Sequence, residues 1–327
     1  MSRPVTTPYI VLAPLLITAA AERIRSGGVV GMPTETVYGL AADALNPLAV
    51  ARVFEIKNRP FFDPLIVHLS EADELPCVAK DVPEQAKALI KNFWPGPLTL
   101  VLPKTDAVPD IVTSGLPTVA VRVPDHPIAR LLIKEAGTPI AAPSANLFGR
   151  VSPTTAQHVR DQLGDAVDIV LDGGPCRVGL ESTIVAFDGP RACVLRLGGV
   201  TIEELERAIG SVEIQKVDPA KPQAPGNLPQ HYAPRTPLVL GDRNTFTSAG
   251  KRAGLLTLGP CEAGGFATIE VLSAAGDLRE AATKLYAAMR ALDAADLDVI
   301  LAEPVPEEGL GRAINDRLKR AANTGGA

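Results

Sequence analysis

Residues 118–123 read Thr-Val-Ala-Val-Arg-Val, or TVAVRV. Val119, Val121 and Val123 fall on one side of an extended chain, and Ala120 and Arg122 on the other. This alternation predicts a strand with one apolar face and one face that carries a charge. PLIVHL at 64–69 repeats the pattern. Leu65, Val67 and Leu69 share a side, and Ile66 and His68 oppose them. PLTLVL (97–102), TPIAA (138–142), DIVLD (168–172), STIVAF (182–187) and CVLRL (193–197) are further short strands, and VVGMP (29–33) precedes them all. Helical patterns lie between them at about 12–26, 47–58, 84–93, 126–136, 154–162 and 201–209. Strands and helices mixed at this density predict an α/β sheet domain over residues 1–210.

Residues 211–236 are proline-rich and lack apolar periodicity, as a linker does, yet they hold His231 and Tyr232 side by side. A second α/β rhythm occupies 237–327. Its strands are PLVL, AGLLTLG, ATIEVL and DVILAEPV, with helices at about 276–293 and 311–322. The pattern is Rossmann-like but carries no dinucleotide fingerprint.

The chain has 327 residues, 46% hydrophobic and 21% charged, as in globular proteins. A net charge of −5 argues against a broad nucleic-acid-binding surface but leaves room for a local basic pocket. The four cysteines, Cys77, Cys176, Cys193 and Cys261, form no zinc pattern and read as buried reduced thiols. The first 25 residues run into a helix and do not resemble a signal peptide. No apolar run is long enough for a membrane span, so a cytoplasmic location is expected.

The polar residues inside the strands carry the functional signal. Arg122, Arg196, His68, Ser182 and Thr183 interrupt apolar runs of one sheet. A buried charge needs a counter-charge, an open pocket or a ligand. Taken singly, a strand histidine is ordinarily structural and a strand arginine ordinarily solvated. Together they predict a cationic, hydroxyl-lined face for an anionic ligand. Two loops at strand ends add to it: PTETVYGL, with Thr34, Glu35, Thr36 and Tyr38, and APSANLFG, with Ser144 and Asn146. Turn and capping chemistry explains such loops equally well when each is taken alone. Neither loop is a Walker A motif.

KNRP, residues 57–60, closes the helix at 47–58. Val50, Val53 and Phe54 form its apolar stripe, and Lys57 stands where that stripe should continue. Basic residues complement a helix C-terminus and Pro60 is a normal stop, so a purely local reading is available.

In their order along the chain these motifs resemble those of the threonylcarbamoyl-AMP synthases, in the long form with a YrdC-like domain and a small C-terminal domain. PTETVYGLAADA, KNRP…DPLIVHLS, WPGPLTLVL, VAVRVPDHP, APSANLFGRVSPT, GLESTIVAF and LRLGG carry the resemblance. HYAP and GLGRAINDRLKRAA point to the long form. The resemblance implies a YrdC-like twisted open mixed sheet with flanking helices. It implies a nucleotidyltransferase that forms threonylcarbamoyl-AMP and pyrophosphate from L-threonine, bicarbonate and ATP, with Mg²⁺ accompanying ATP. A tRNA-modifying transferase complex would receive the intermediate for tRNA modification; direct tRNA binding stays open.

Carried over by motif, the catalytic tetrad is Lys57, Arg59, Ser144 and Asn146. Threonine contacts are Thr36, His68, Arg122, Ala142 and Ser182. ATP contacts are Arg59, Asp63, Thr118, Ser144, Ser152, Arg196 and Tyr232, and no protein metal ligand is implied. The linker is the expected lid over the nucleotide. Two positions depart from the family pattern. Asp63 stands where asparagine is usual, and an aspartate repels phosphates unless Mg²⁺ or a basic group is near. Leu228-Pro229-Gln230 weakens the basic character of the linker.

Two alternatives remain at this stage. One is a related carbamoyl-adenylate enzyme or carbamoyltransferase, whose usual additional metal or acylphosphatase-like segments are not visible. The other is a non-catalytic double-stranded-RNA binder, which the acidic charge and the hydroxyl-rich pattern disfavour.

Overall fold

The computed structural model describes residues 9–189, 191–215, 231–262 and 264–322. Its larger sheet contains β1 (Val30–Met32), β2 (Gly39–Asp43), β3 (Ile66–His68), β4 (Leu98–Pro103), β5 (Thr118–Arg122), β6 (Ile140–Ala141), β7 (Ile169–Val170), β8 (Thr183–Asp188), β9 (Arg191–Arg196) and β10 (Glu213–Ile214). They lie in the order β10-β9-β8-β4-β5-β3-β6-β2-β1-β7, with parallel and antiparallel pairs mixed. The helices of this part are α1 (Tyr9–Arg25), α2 (Pro47–Lys57), α3 (Glu84–Phe93), α4 (Asp110–Thr113), α5 (Pro127–Ala136), α6 (Ala156–Leu163) and α7 (Ile202–Ile209).

The alternation in the strands decides which face is covered. Leu65, Val67, Leu69, Leu100, Leu102, Val119, Val121, Val123 and Val185 join Val50, Val53 and Phe54 of α2 and Leu89 of α3 in one large core. At one end of the other face, α1 and α5 pack through Ile24, Ala129, Leu132 and Ile133. The middle of that face holds only a small apolar group, Ile66, Val101, Ala120, Ile184 and Leu195. There the charged positions of the alternating strands gather.

The second sheet is fully parallel. It contains β11 (Leu238–Leu240), β12 (Ala253–Thr257), β13 (Thr268–Val271) and β14 (Val299–Ala302), in the order β11-β14-β12-β13. Its helices are α8 (Leu278–Asp293) and α9 (Gly311–Ala322). Asp277 caps α8 by accepting from the amides of Arg279 and Glu280. Val37, Val151 and Leu180 of the first part enter the same core as Tyr286, Met289, Ile300 and Ile314. The two parts therefore share apolar packing around Tyr232.

Several details differ from the sequence reading. Glu213–Ile214, inside the stretch read as linker, pairs in parallel with β9 and extends the sheet. Leu228-Pro229-Gln230 lies outside the described residues. Only Cys176 of the four free cysteines is buried, and Cys77 is exposed, because it sits at a surface turn rather than on a core strand. No described helix is long and apolar enough to cross a membrane.

Gly198, in LRLGG, shows how tightly the strand ends are set. A Cβ there would lie 2.3 Å from the Glu181 carbonyl oxygen and 2.5 Å from the Thr183 nitrogen, both backbone. Gly198→Ala is expected to displace the start of β8 and to lower unfolding free energy by about 1–3 kcal/mol in urea titrations.

Candidate active site

Strand register brings the predicted polar residues together. β3 and β5 pair so that His68 lies opposite Arg122 and Ile66 opposite Ala120. The Ala142 amide donates to the Ile66 carbonyl at 3.0 Å, which brings the end of β6 alongside. Ser182 sits just before β8 within 2.7 Å of the Thr99 hydroxyl, and Arg196 at the end of β9 donates to the Ser182 hydroxyl at 3.1 Å. Thr36, Arg59, His68, Arg122, Ala142, Ser144, Ser182, Arg196 and Tyr232 line one small cavity, with Glu181 and His231. Ser152, Asn146, Lys57 and Asp63 stand behind this wall, and Thr118 lies outside it, half-buried at the start of β5.

The space left in the cavity is about 50 Å³. That holds a few waters and is far below the roughly 300 Å³ at the lower end of small-molecule sites. His231 and Tyr232 form part of its lining. The Ala233 amide donates to the Gly149 carbonyl at 2.8 Å, and the His231 ring meets Phe148 at 5.9 Å. Tyr232 has φ of +64°, a strained conformation for a bulky residue.

Arg122 is held from the PTETVYGL loop. Its Nη2 pairs with Glu35 at 2.7 Å, and its Nη1 donates to the Thr36 hydroxyl at 2.9 Å. Its buried Nε–H has no hydrogen-bond acceptor among the described residues. Tyr38 has a different role: its hydroxyl donates to the Gly174 carbonyl at 2.7 Å and is part of the scaffold.

KNRP ends α2 as the local reading requires. Asn46 caps the N-terminus, and Asn58 closes the C-terminus in a left-handed conformation, φ +51°. Lys57 is 1% exposed and follows Val50, Val53 and Phe54 into the interior. Its ammonium donates to the backbone carbonyls of Ser144 and Asn146. Lys57 thus grips the APSANLFG loop by its backbone and does not face the Ser144 and Asn146 side chains across an open gap. Burial, with Arg59 beside it, pulls its pKa well below the usual lysine value.

Arg59 donates to the carbonyls of Asp63 and Pro64 at 3.1 and 2.9 Å, pairs with the Asp63 carboxylate at 2.9 Å, and lies over the Phe148 ring. Asp63 is completely buried. Burial raises its pKa, opposed by Arg59, Lys57 and Arg196. The basic group that an aspartate requires at this position is therefore Arg59.

Three groups important to the site, Glu181, Arg317 and Tyr286, escaped the sequence reading, and Glu35 was noticed only as part of a loop. Glu181 accepts from the Ser152 hydroxyl at 2.7 Å, from the Tyr286 hydroxyl at 2.9 Å and from the Arg317 Nε at 2.9 Å. Arg317 and Tyr286 come from α9 and α8, more than a hundred residues away in sequence. The only sequence signal was an arginine on the inward stripe of the last helix.

Burial and the neighbouring Arg122 push His68 down to about 3, and its Nδ1 lies 3.2 Å from the Ile66 carbonyl. The folded state therefore holds a neutral ring, while the unfolded chain takes up a proton below about pH 6.5. This stability is fully present above about pH 6.5 and is lost as pH falls toward 3. Between pH 7 and 5, wild type should lose about 2 kcal/mol more unfolding free energy than His68→Asn, as read by urea denaturation.

Residues 22–198 match the Sua5/YciO/YrdC family, described as telomere recombination, and residues 200–323 match the threonylcarbamoyl-AMP synthase C-terminal domain. The threonylcarbamoyl-AMP synthase of Pyrococcus abyssi is 43% identical over 94% of each chain. That of Bacillus subtilis is 42% identical over 94% of this chain and 92% of its own. The crystal structure of Pyrococcus abyssi Sua5 complexed with L-threonine superposes with a TM-score of 0.87 at 42% identity, covering 94% of both chains. The chain belongs to the Sua5/YciO/YrdC family and, being matched along both of its regions, to the threonylcarbamoyl-AMP synthases within it.

Proposed function

We propose that this chain makes threonylcarbamoyl-AMP and pyrophosphate from L-threonine, bicarbonate and ATP. The observation that carries the reading is one buried cavity that gathers three guanidiniums, those of Arg59, Arg122 and Arg196, with the hydroxyls of Thr36, Ser144 and Ser182. In this reading Arg122, Thr36 and His68 form the threonine end and Arg59, Ser144 and Arg196 the ATP end, with Ala142 and Ser182 between them. The family membership and the L-threonine complex of the Pyrococcus abyssi relative support it.

At the first end, the Arg122 Nε–H, which has no acceptor among the described residues, suits the threonine carboxylate. Neutral His68 and the Thr36 hydroxyl read the amine and side-chain hydroxyl. The amine combines with bicarbonate, losing water, to give an N-carboxylate. One oxygen of that carboxylate bonds to the α-phosphorus, and the bond from that phosphorus to the departing pyrophosphate breaks. Both reactants are anionic, so Arg59 and Arg196 lower the barrier by screening charge that is already fixed in place. Lys57 orders the Ser144–Asn146 loop around the phosphates and Ser152 supports the nucleotide, while Thr118 lies outside the cavity lining.

No described group of three or more His, Cys, Asp or Glu side chains is suited to a metal ion. Asp63 is engaged by Arg59, and Glu181 by Arg317. Mg²⁺ would enter with ATP as part of the substrate, where it would offset phosphate charge. His231 and Tyr232 must swing aside to admit ATP and return to exclude water, which protects the carbamate and the adenylate from hydrolysis. The product passes to a transferase that modifies tRNA.

Two substitutions test the assignment. Arg122→Lys keeps the charge but loses the fork, and should raise KM for threonine about 10- to 100-fold with little change for ATP. Equal losses for both substrates would remove Arg122 from the threonine end. Asp63→Asn removes the carboxylate that competes with phosphate for Arg59. It should lower Kd for ATP by about threefold to tenfold in calorimetry while lowering the melting temperature of the free enzyme.

A further inference from the structure

Arg317 is the largest fully buried side chain of the molecule's described residues, and it projects from the last helix, α9, into the wall of the site. Its Nε donates to the Glu181 carboxylate at 2.9 Å, its Nη2 to the Leu197 carbonyl at 2.8 Å, and its guanidinium lies 5.0 Å from the centre of the Tyr232 ring. Leu197 directly follows Arg196. Glu181 directly precedes Ser182 and also accepts from Ser152. One guanidinium thus touches the strand end bearing Arg196, the carboxylate beside Ser182 and the ring of Tyr232. The Tyr286 hydroxyl of α8 completes the set on Glu181, and its ring stacks on Tyr232 at 5.8 Å.

We propose that Arg317 and Tyr286 of the C-terminal region are positioning residues of the adenylation site, acting on ATP through Glu181. The proposal rests on the functional reading above. Glu181 is 6% exposed and lines the cavity that Arg196 also lines. Burial alone would raise its pKa; Arg317 first, then Arg196 and the Ser152 hydroxyl, reverse this and keep it charged. A buried carboxylate that has lost its main partner turns to the next cation within reach. Here that is Arg196, which lines the same cavity and already donates to the carbonyl and hydroxyl of Ser182, the next residue. By holding Glu181, Arg317 keeps Arg196 in that place for the nucleotide. The C-terminal region is therefore a part of the catalytic site rather than an independent ligand module.

The test is calorimetric affinity for ATP and for threonine in the full chain, with pyrophosphate release measured in parallel. Arg317→Met should weaken ATP binding about tenfold and leave threonine within about twofold. Adding Glu181→Gln to it should restore ATP affinity to within about threefold of wild type, because the neutral amide no longer competes for Arg196. A merely structural role predicts no such rescue. Tyr286→Phe retains every charge and should weaken ATP about two- to threefold, so it carries the test even if Arg317→Met does not fold. Unchanged ATP affinity in Tyr286→Phe, or a double variant as weak as Arg317→Met, overturns the proposal. Wild type that binds ATP but releases no pyrophosphate overturns the functional reading and leaves these affinity differences as predicted; wild type that binds no ATP overturns both.

Discussion

Buried charge is the constraint on which this molecule is built. Among the described residues, Lys57, Arg59, Arg122, Arg196 and Arg317 are each no more than 6% exposed, and they converge on one cavity and its walls. Three buried carboxylates, Glu35, Asp63 and Glu181, answer them. Isolated charges of this kind cost several kcal/mol each. The fold meets that cost with paired geometry: Glu35 on Arg122, Asp63 on Arg59 and Glu181 on Arg317, all at 2.7–2.9 Å. Lys57 is met by backbone carbonyls. What remains is a net excess of positive charge in a water-poor pocket, the condition for binding a triphosphate beside a carboxylate.

That constraint explains the unusual strand sequences. A sheet covered on both faces would need apolar residues at Arg122, His68 and Arg196. Here the middle of one face carries only a small apolar group, and the described residues around it are polar. The free face is closed instead by His231 and Tyr232 and by the C-terminal core around Tyr286 and Arg317. Tyr232 is where the two parts meet, and its strained backbone is held by packing on both sides.

Much of this was legible in the sequence because alternation is local. TVAVRV and PLIVHL each declare which side is charged, and their register follows once both belong to one sheet. The position of Lys57 on an apolar stripe showed that α2 carries a buried cation. What it grips was not legible, since backbone carbonyls leave no trace in side-chain patterns. Asp63 read as a repulsive substitution because its partner, Arg59, lies one helical turn back across a loop containing Pro60. Glu181, Arg317 and Tyr286 were missed for another reason: their association depends on how α8 and α9 dock, which no local periodicity encodes. The two-residue strand at Glu213–Ile214 was too short and too exposed to rise above its proline-rich surroundings.

If this pocket joins threonine, bicarbonate and ATP in a single adenylate, carbon-13 bicarbonate must leave its carbon in the product, which mass spectrometry reads. The expected product is a threonylcarbamoyl adenylate that carries one labelled carbon, formed together with pyrophosphate. ATP turnover that yields only unlabelled AMP, or an adenylate without the labelled carbon, would contradict it.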